Sequence, residues 1–172
     1  FAYRPQRLSG KVLRQILRPV SSDPEKELRR RQITELPDAC IRSYPFSEML
    51  RIVASRTRIG RIAEDIIWDY GHRWFDQMVA QKYLSDVKVV YGHEFSALKT
   101  FQTMKRQGGF CIFDQFIAHH RVIAREVDTE YAQFPQTETP YDRHLRRMAE
   151  VRNARKDAEL TLADLIITAS TF

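Results

Sequence analysis

Three short clusters in this chain combine residue types that could do chemistry: His93-Glu94, Asp114-Gln115 and His119-His120. A carboxylate beside an amide offers acceptors and donors together, so Asp114 with Gln115 could hold substrate hydroxyls, or could simply cap a helix or close a turn. Glu94 reads either as a carboxylate favoured by the free N–H groups of a helix start or, with His93, as a polar ligand contact. His119 and His120 are neighbours, and on a helix neighbours point about 100° apart, so they are not expected to share a metal ion. No Cys, Asp or Glu stands at a ligand spacing from them, and no metal site is expected. One of the two could reach a ligand while the other is packed or solvated. With six glycines in all, the chain contains no GxGxxG, no Walker A and no GxSxG pattern, so a phosphate-cradling glycine loop is expected to be missing or to lie outside this chain, and no nucleophile elbow is read.

The elements around these clusters read as α/β. Val87–Tyr91 is an expected strand, Gly92-His93 a tight connection, Glu94–Arg106 a helix with Phe95, Leu98, Phe101 and Met104 on one side, and Phe110–Phe113 the next strand after Gly108-Gly109. Strand, helix and strand in so short a span make a βαβ unit with parallel pairing. A helix is expected over Arg143–Ala163 and a further strand over Leu165–Ala169, while 131–141, with two prolines, reads as a loop. Upstream, the every-fourth series Ile62, Ile66, Tyr70, Trp74 and Met78 predicts an apolar helical stripe broken at Gly71. A helix is expected from Ser47, a short strand over Ala39–Ser43 and a charged helix over Glu25–Glu35. The strands are continuous apolar runs, as in a parallel sheet buried on both faces. The fold class expected is therefore a doubly wound α/β domain spanning 1–172. In such sheets ligands bind beyond the carboxyl ends of the strands, which draws attention to Gly92, His93, Glu94, Asp114, Gln115 and Ser170.

Composition narrows the class. Apolar residues make up 43% and charged residues 29%, as in a globular protein. No apolar stretch approaches the roughly 20 residues a membrane span needs, and no secretory signal is recognised. Cys40 and Cys111 lack metal or CxxC spacing and fit reduced thiols, so a cytoplasmic location is expected. The chain starts at Phe1 rather than Met and is expected to belong to a longer protein. The formal net charge of +6 sits entirely in residues 1–34, where nine basic side chains face three acidic ones. Arg4, Arg7, Arg14, Arg18 and Arg29-Arg30-Arg31 could bind nucleic-acid phosphates, and with the Leu8/Val12/Leu13/Ile16/Leu17 stripe could lie on an anionic membrane surface. A solvated helix face explains such a run equally. Aromatic residues scarcely interleave with it, so base stacking has no support.

Glu159-Leu160-Thr161-Leu162-Ala163-Asp164-Leu165-Ile166-Ile167-Thr168-Ala169-Ser170-Thr171-Phe172 resembles the "E…AD.I…S.F" signature that ends the N-terminal domain of family 4-type glycosyltransferases with the GT-B fold. Val87 to Glu94 and its following helix, and Gly108 to Asp114, resemble two earlier segments of that domain; Arg30–Pro37 and Ser47-Glu48 resemble a subset of the bacterial enzymes. The resemblance implies a Rossmann-like half of a two-domain hexosyltransferase. The carbohydrate or lipid-linked acceptor binds this half, and the nucleotide-sugar donor binds mainly the other half. Transfer keeps the anomeric configuration, with no cofactor and no bound divalent metal. The resemblance further implies catalytic roles for Asp114 and His120 and substrate contacts from Tyr91, Gly92, His93, Glu94, Gln115 and His119. Three departures stand out: the first strand with its glycine-rich loop is not visible, the donor domain is absent, and Asp114 replaces a histidine found in many members. The chain alone is expected to be catalytically incomplete. The contrasting expectation is a non-catalytic α/β module that binds nucleic acid or another polyanion through its basic N-terminal segment.

Overall fold

The computed structural model describes residues 15, 23–30, 32, 36–57 and 59–169, which fall into two compact units, Phe1–Gly71 and His72–Phe172. Most of the basic segment, its apolar stripe and Ser170 therefore lie outside the described residues.

In the first unit, helix α1 (Pro24–Arg29) starts on an Asp23 cap with proline in its first turn, and helix α2 (Phe46–Thr57) buries Met49, Ile52 and Ala54. The expected charged helix is α1; 31 and 33–35 lie outside the described residues. The strand expected over Ala39–Ser43 is instead a 3₁₀ turn at Asp38–Cys40 followed by irregular chain, its turn closed by the Cys40 amide on the Pro37 carbonyl. Helix α3 (Arg61–Lys82) runs unbroken through Gly71. That glycine permits a close crossing: a Cβ there would stand 2.6 Å from Ser47 Cβ. The every-fourth stripe does not stay on one face, because each step of four drifts about 40° around a helix of 3.6 residues per turn. Met78 is buried while Ile66, Tyr70 and Trp74 are exposed. Among the described residues no helix is long and apolar enough to cross a membrane.

The second unit is an α/β layer: a three-strand parallel sheet flanked by helices, in the order β1 (Val89–His93), β2 (Phe110–Gln115), β3 (Leu165–Thr168). Helix α4 (Leu98–Arg106) connects β1 to β2, and helices α5 (His120–Gln133) and α6 (Pro140–Leu162) lead from β2 to β3. The segment expected to be a loop holds the end of α5, a 3₁₀ turn and the start of α6. Thr139-Pro140-Tyr141-Asp142 is a capping box with proline at the first helical turn, a start signal rather than a loop. Gly108 ends α4 at φ 71°, in the left-handed region that favours glycine.

The sheet progresses in one direction, and right-handed crossovers then lay their helices on one face. Phe101 and Met104 of α4 and Leu160 and Leu162 of α6 meet Cys111 and Phe113 of β2 in a single core. The opposite face is open: Val89, Tyr91, Phe110, Leu165 and Ile167 are exposed. Burial on both faces, expected from the apolar runs, is thus not found among the described residues, nor is a reversal of strand order. Asp164 sets the β2–β3 register. Its carboxylate accepts the Cys111 amide at 2.8 Å and Lys105 Nζ at 2.6 Å, and its own amide donates to the Cys111 carbonyl. Lys105 first, then the amide, holds that carboxyl below its ordinary range.

Candidate functional site

The strand ends carry two turns of different construction. β1 runs two residues beyond its expected end, so Gly92 and His93 belong to the strand rather than to a connection. Gly92 serves packing: a Cβ there would stand 2.7 Å from Ala97 Cβ and 3.2 Å from the Phe101 ring. The chain then bends through Glu94-Phe95-Ser96 into α4, with Phe95 at φ 73°, a backbone region costly for a residue with a side chain.

What holds this bend is a set of buried charges. Glu159 of α6 accepts the amides of Phe95 (2.5 Å), Ala97 (3.0 Å) and Leu98 (3.0 Å). Asp76 of α3 accepts those of Lys99 (2.8 Å) and Thr100 (2.9 Å), and also the Thr100 hydroxyl. The Ser96 amide goes to the His93 carbonyl. Every N–H from 95 to 100 therefore has an internal acceptor, and the helix start is saturated. Arg155 lies between the carboxylates: its guanidinium pairs with Asp76 and Glu159, and its Nε donates to the Phe95 carbonyl at 3.2 Å. Asp76 and Glu159 are fully buried. Burial pushes the Glu159 carboxyl up, against the pull of its amide donors and Arg155. The buried Phe95 ring has the guanidinium carbons of Arg73, Arg152 and Arg155 at 5.6, 5.8 and 5.6 Å from its centroid.

Glu94 is accordingly not the cap of α4. Its carboxylate is buried and pairs with Lys156 of α6 at 3.3 Å. The capping groups, Asp76 and Glu159, come from other helices. In sequence they look like ordinary charges beside apolar neighbours, although Glu159 opens the signature quoted above.

Asp114 and Gln115 lie inside β2, not after it. On the open face the Tyr91 hydroxyl donates to Asp114 Oδ2 at 2.5 Å, which raises the Tyr91 pKa. His93, opposite Asp114 in the register, meets the Ser96 hydroxyl at 3.1 Å and the edges of the His72 and Phe116 rings. Gln115 is buried, donates to the Ile117 carbonyl at 2.8 Å, and leaves its Oε1 without a partner.

The second turn, from β2 to α5, overturns the premise about adjacent histidines. His119 precedes the helix with φ −56° and ψ 137°, and its Nδ1 accepts the Arg121 amide at 3.2 Å. Released from helical spacing, its ring lies beside that of His120, with centroids 4.1 Å apart and planes 31° from parallel. His120 is buried, and its pKa is lowered by that burial and by His119. Asp157 of α6 faces the pair: its Oδ1 lies 3.2 Å from His120 Nε2 and 4.0 Å from His119 Nε2, while its Oδ2 accepts from Arg121 at 2.9 Å.

Tyr91, Asp114 and His93 thus share one polar strip on the open face, Glu94 is a buried wall, and His119 and His120 form a separate cluster with Asp157. Comparison with protein-family models, curated proteins and solved structures gives no match to this chain.

Proposed function

We propose that the chain is the acceptor-side domain of a family 4-type glycosyltransferase, a Rossmann-like half of a GT-B enzyme. It would orient a carbohydrate or lipid-linked hydroxyl for attack on the anomeric carbon of a nucleotide-sugar donor. The observation that carries this reading is the saturated start of α4. A strand-to-helix turn that receives donor phosphates keeps its amides open, and here Glu159 and Asp76 occupy them. Such an edge suits neutral hydroxyls recognised by side chains, and the strip of Tyr91, His93 and Asp114 offers them. Asp114 is the candidate to accept the hydroxyl proton or fix its direction, with Tyr91 and His93 beside it. Glu94 supports the turn through Lys156 rather than reaching substrate. Orientation is the contribution asked of this domain. Stabilising the leaving nucleotide diphosphate falls to groups of a donor domain.

The test is ligand-observed NMR of the whole chain with a panel of mono- and oligosaccharides and a short lipid-linked sugar. Binding that weakens about tenfold in Asp114→Asn is expected, the scale of one lost hydrogen bond to a charged group. No sugar binding, together with salt-sensitive binding of an oligonucleotide, would replace this reading with that of a polyanion-binding module.

A further inference from the structure

We infer that His119, His120 and Asp157 form a binding site for a divalent cation of the borderline class, such as Zn²⁺, Co²⁺ or Ni²⁺. Each residue offers one ligand atom, and the three atoms all lie within 4.8 Å of one another. An independent observation points the same way. His120 is only 5% exposed, yet neither ring nitrogen has a hydrogen-bond partner. A buried polar group in that state is costly unless something else satisfies it. The nearest candidate, Asp157 Oδ1, lies 3.2 Å from His120 Nε2 without forming a hydrogen bond. That separation is close to the edge two ligands span around an ion with bonds of about 2.1 Å.

The surroundings prepare the carboxylate. Arg121 holds Asp157 Oδ2 at 2.9 Å, which turns Oδ1 toward both imidazoles. This is the role an outer partner plays for a ligating carboxylate. The other nearby cation, Lys156, is paired with Glu94. Arg121 is 74% exposed and can stay on Oδ2 or swing into solvent. Two imidazoles with one carboxylate suit Zn²⁺, Co²⁺ or Ni²⁺, whereas Mg²⁺ and Ca²⁺ take all-oxygen sets. A fourth position is left for water.

His119 pays in hydrogen bonding. Its Nδ1 accepts the Arg121 amide, so in the ion-free chain the proton of the neutral ring sits on Nε2. Coordination through Nε2 moves that proton to Nδ1 and gives up the cap. The position before the helix leaves the ring free to make this exchange. No net proton is released by the shift. Nothing in this site depends on the sugar-transfer reading.

The experiment is calorimetric titration of Zn²⁺ into the whole chain carrying Cys40→Ser, which removes an exposed competing thiol. One ion per chain is expected, and the Co²⁺-loaded chain should show visible absorption of a four-coordinate centre. Asp157→Asn and His119→Asn change partly exposed residues and spare the buried ring. His119→Asn also keeps a good capping side chain, so its melting temperature in chelator should be unchanged. Each variant should bind Zn²⁺ at least about tenfold more weakly. Absence of binding at millimolar Zn²⁺, or undiminished binding in both variants, overturns the site.

Discussion

The turns that follow β1 and β2 occupy equivalent places at the ends of neighbouring parallel strands, and α6 sends a carboxylate to each. At the first, Glu159 and Asp76 accept the amides of the helix start, and Arg155 pairs with both carboxylates. At the second, Asp157 meets two imidazoles, one of them buried with both nitrogens unsatisfied. The first turn spends its polar groups on itself and holds a strained residue in place. The second leaves coordination capacity over. A strand end in an α/β sheet is thus a place where function can be built, and the disposition of backbone amides and side-chain lone pairs decides whether it is used for architecture or for a ligand.

The sharpest way to break this contrast is Glu159→Ala. It leaves three amides, two of them buried, without their acceptor and takes from Arg155 one of its two carboxylates, and should cost about 3–5 kcal/mol by urea unfolding. A loss below about 1 kcal/mol would mean that the carboxylate does not hold the turn. Next in size is Phe95→Ala, which should cost about 3 kcal/mol for the buried ring. Phe95→Gly should be about 1 kcal/mol less damaging, because glycine accepts φ 73° without penalty. Equal losses in the two variants would show that the backbone there carries no strain. At the second turn, His120→Leu should change metal-free stability by less than about 1 kcal/mol, since it replaces a buried ring that has no hydrogen bond to lose. A loss as large as that at Glu159 would erase the difference between the turns.

Smallest is the acid response of Asp164, a partly exposed carboxylate at the far end of α6. Its folded pKa lies below the ordinary 3.8, so its contribution is present above that value and fades as pH falls through the depressed one. Unfolding midpoints of the wild type and Asp164→Asn, compared from pH 6 down to the acid limit, should converge only below about pH 4. A gap that closes at higher pH would assign the effect to another group.

The sequence made the βαβ unit readable because apolar runs, glycine stops and an amphipathic helix coincide between Val87 and Phe113. It placed the end of β1 two residues early because Gly92-His93 breaks the apolar run, whereas the glycine is there to admit Ala97 and Phe101. Asp114 and Gln115 read as exit residues because they are polar at the end of an apolar run, whereas Asp114 lies on the open face of the strand and Gln115 is buried at its last position. The groups that organise the first turn were hidden more deeply. Asp76, Arg155 and Glu159 lie on long helices rich in charge, and spacing alone does not separate a carboxylate buried against amides from one in water. The paired rings of His119 and His120 do not follow from helical spacing, because His119 caps the helix from outside it.

Within α6, the single stretch Arg155 to Glu159 addresses four elements: Arg155 reaches Asp76 of α3, Lys156 reaches Glu94 after β1, Asp157 reaches the start of α5, and Glu159 reaches the start of α4. One helical turn therefore acts as a key cut on several sides. A single residue inserted or deleted just upstream would leave a perfectly good helix but rotate that key by about 100°. All of its teeth would miss at once, so length changes here should be far less tolerated than most point substitutions.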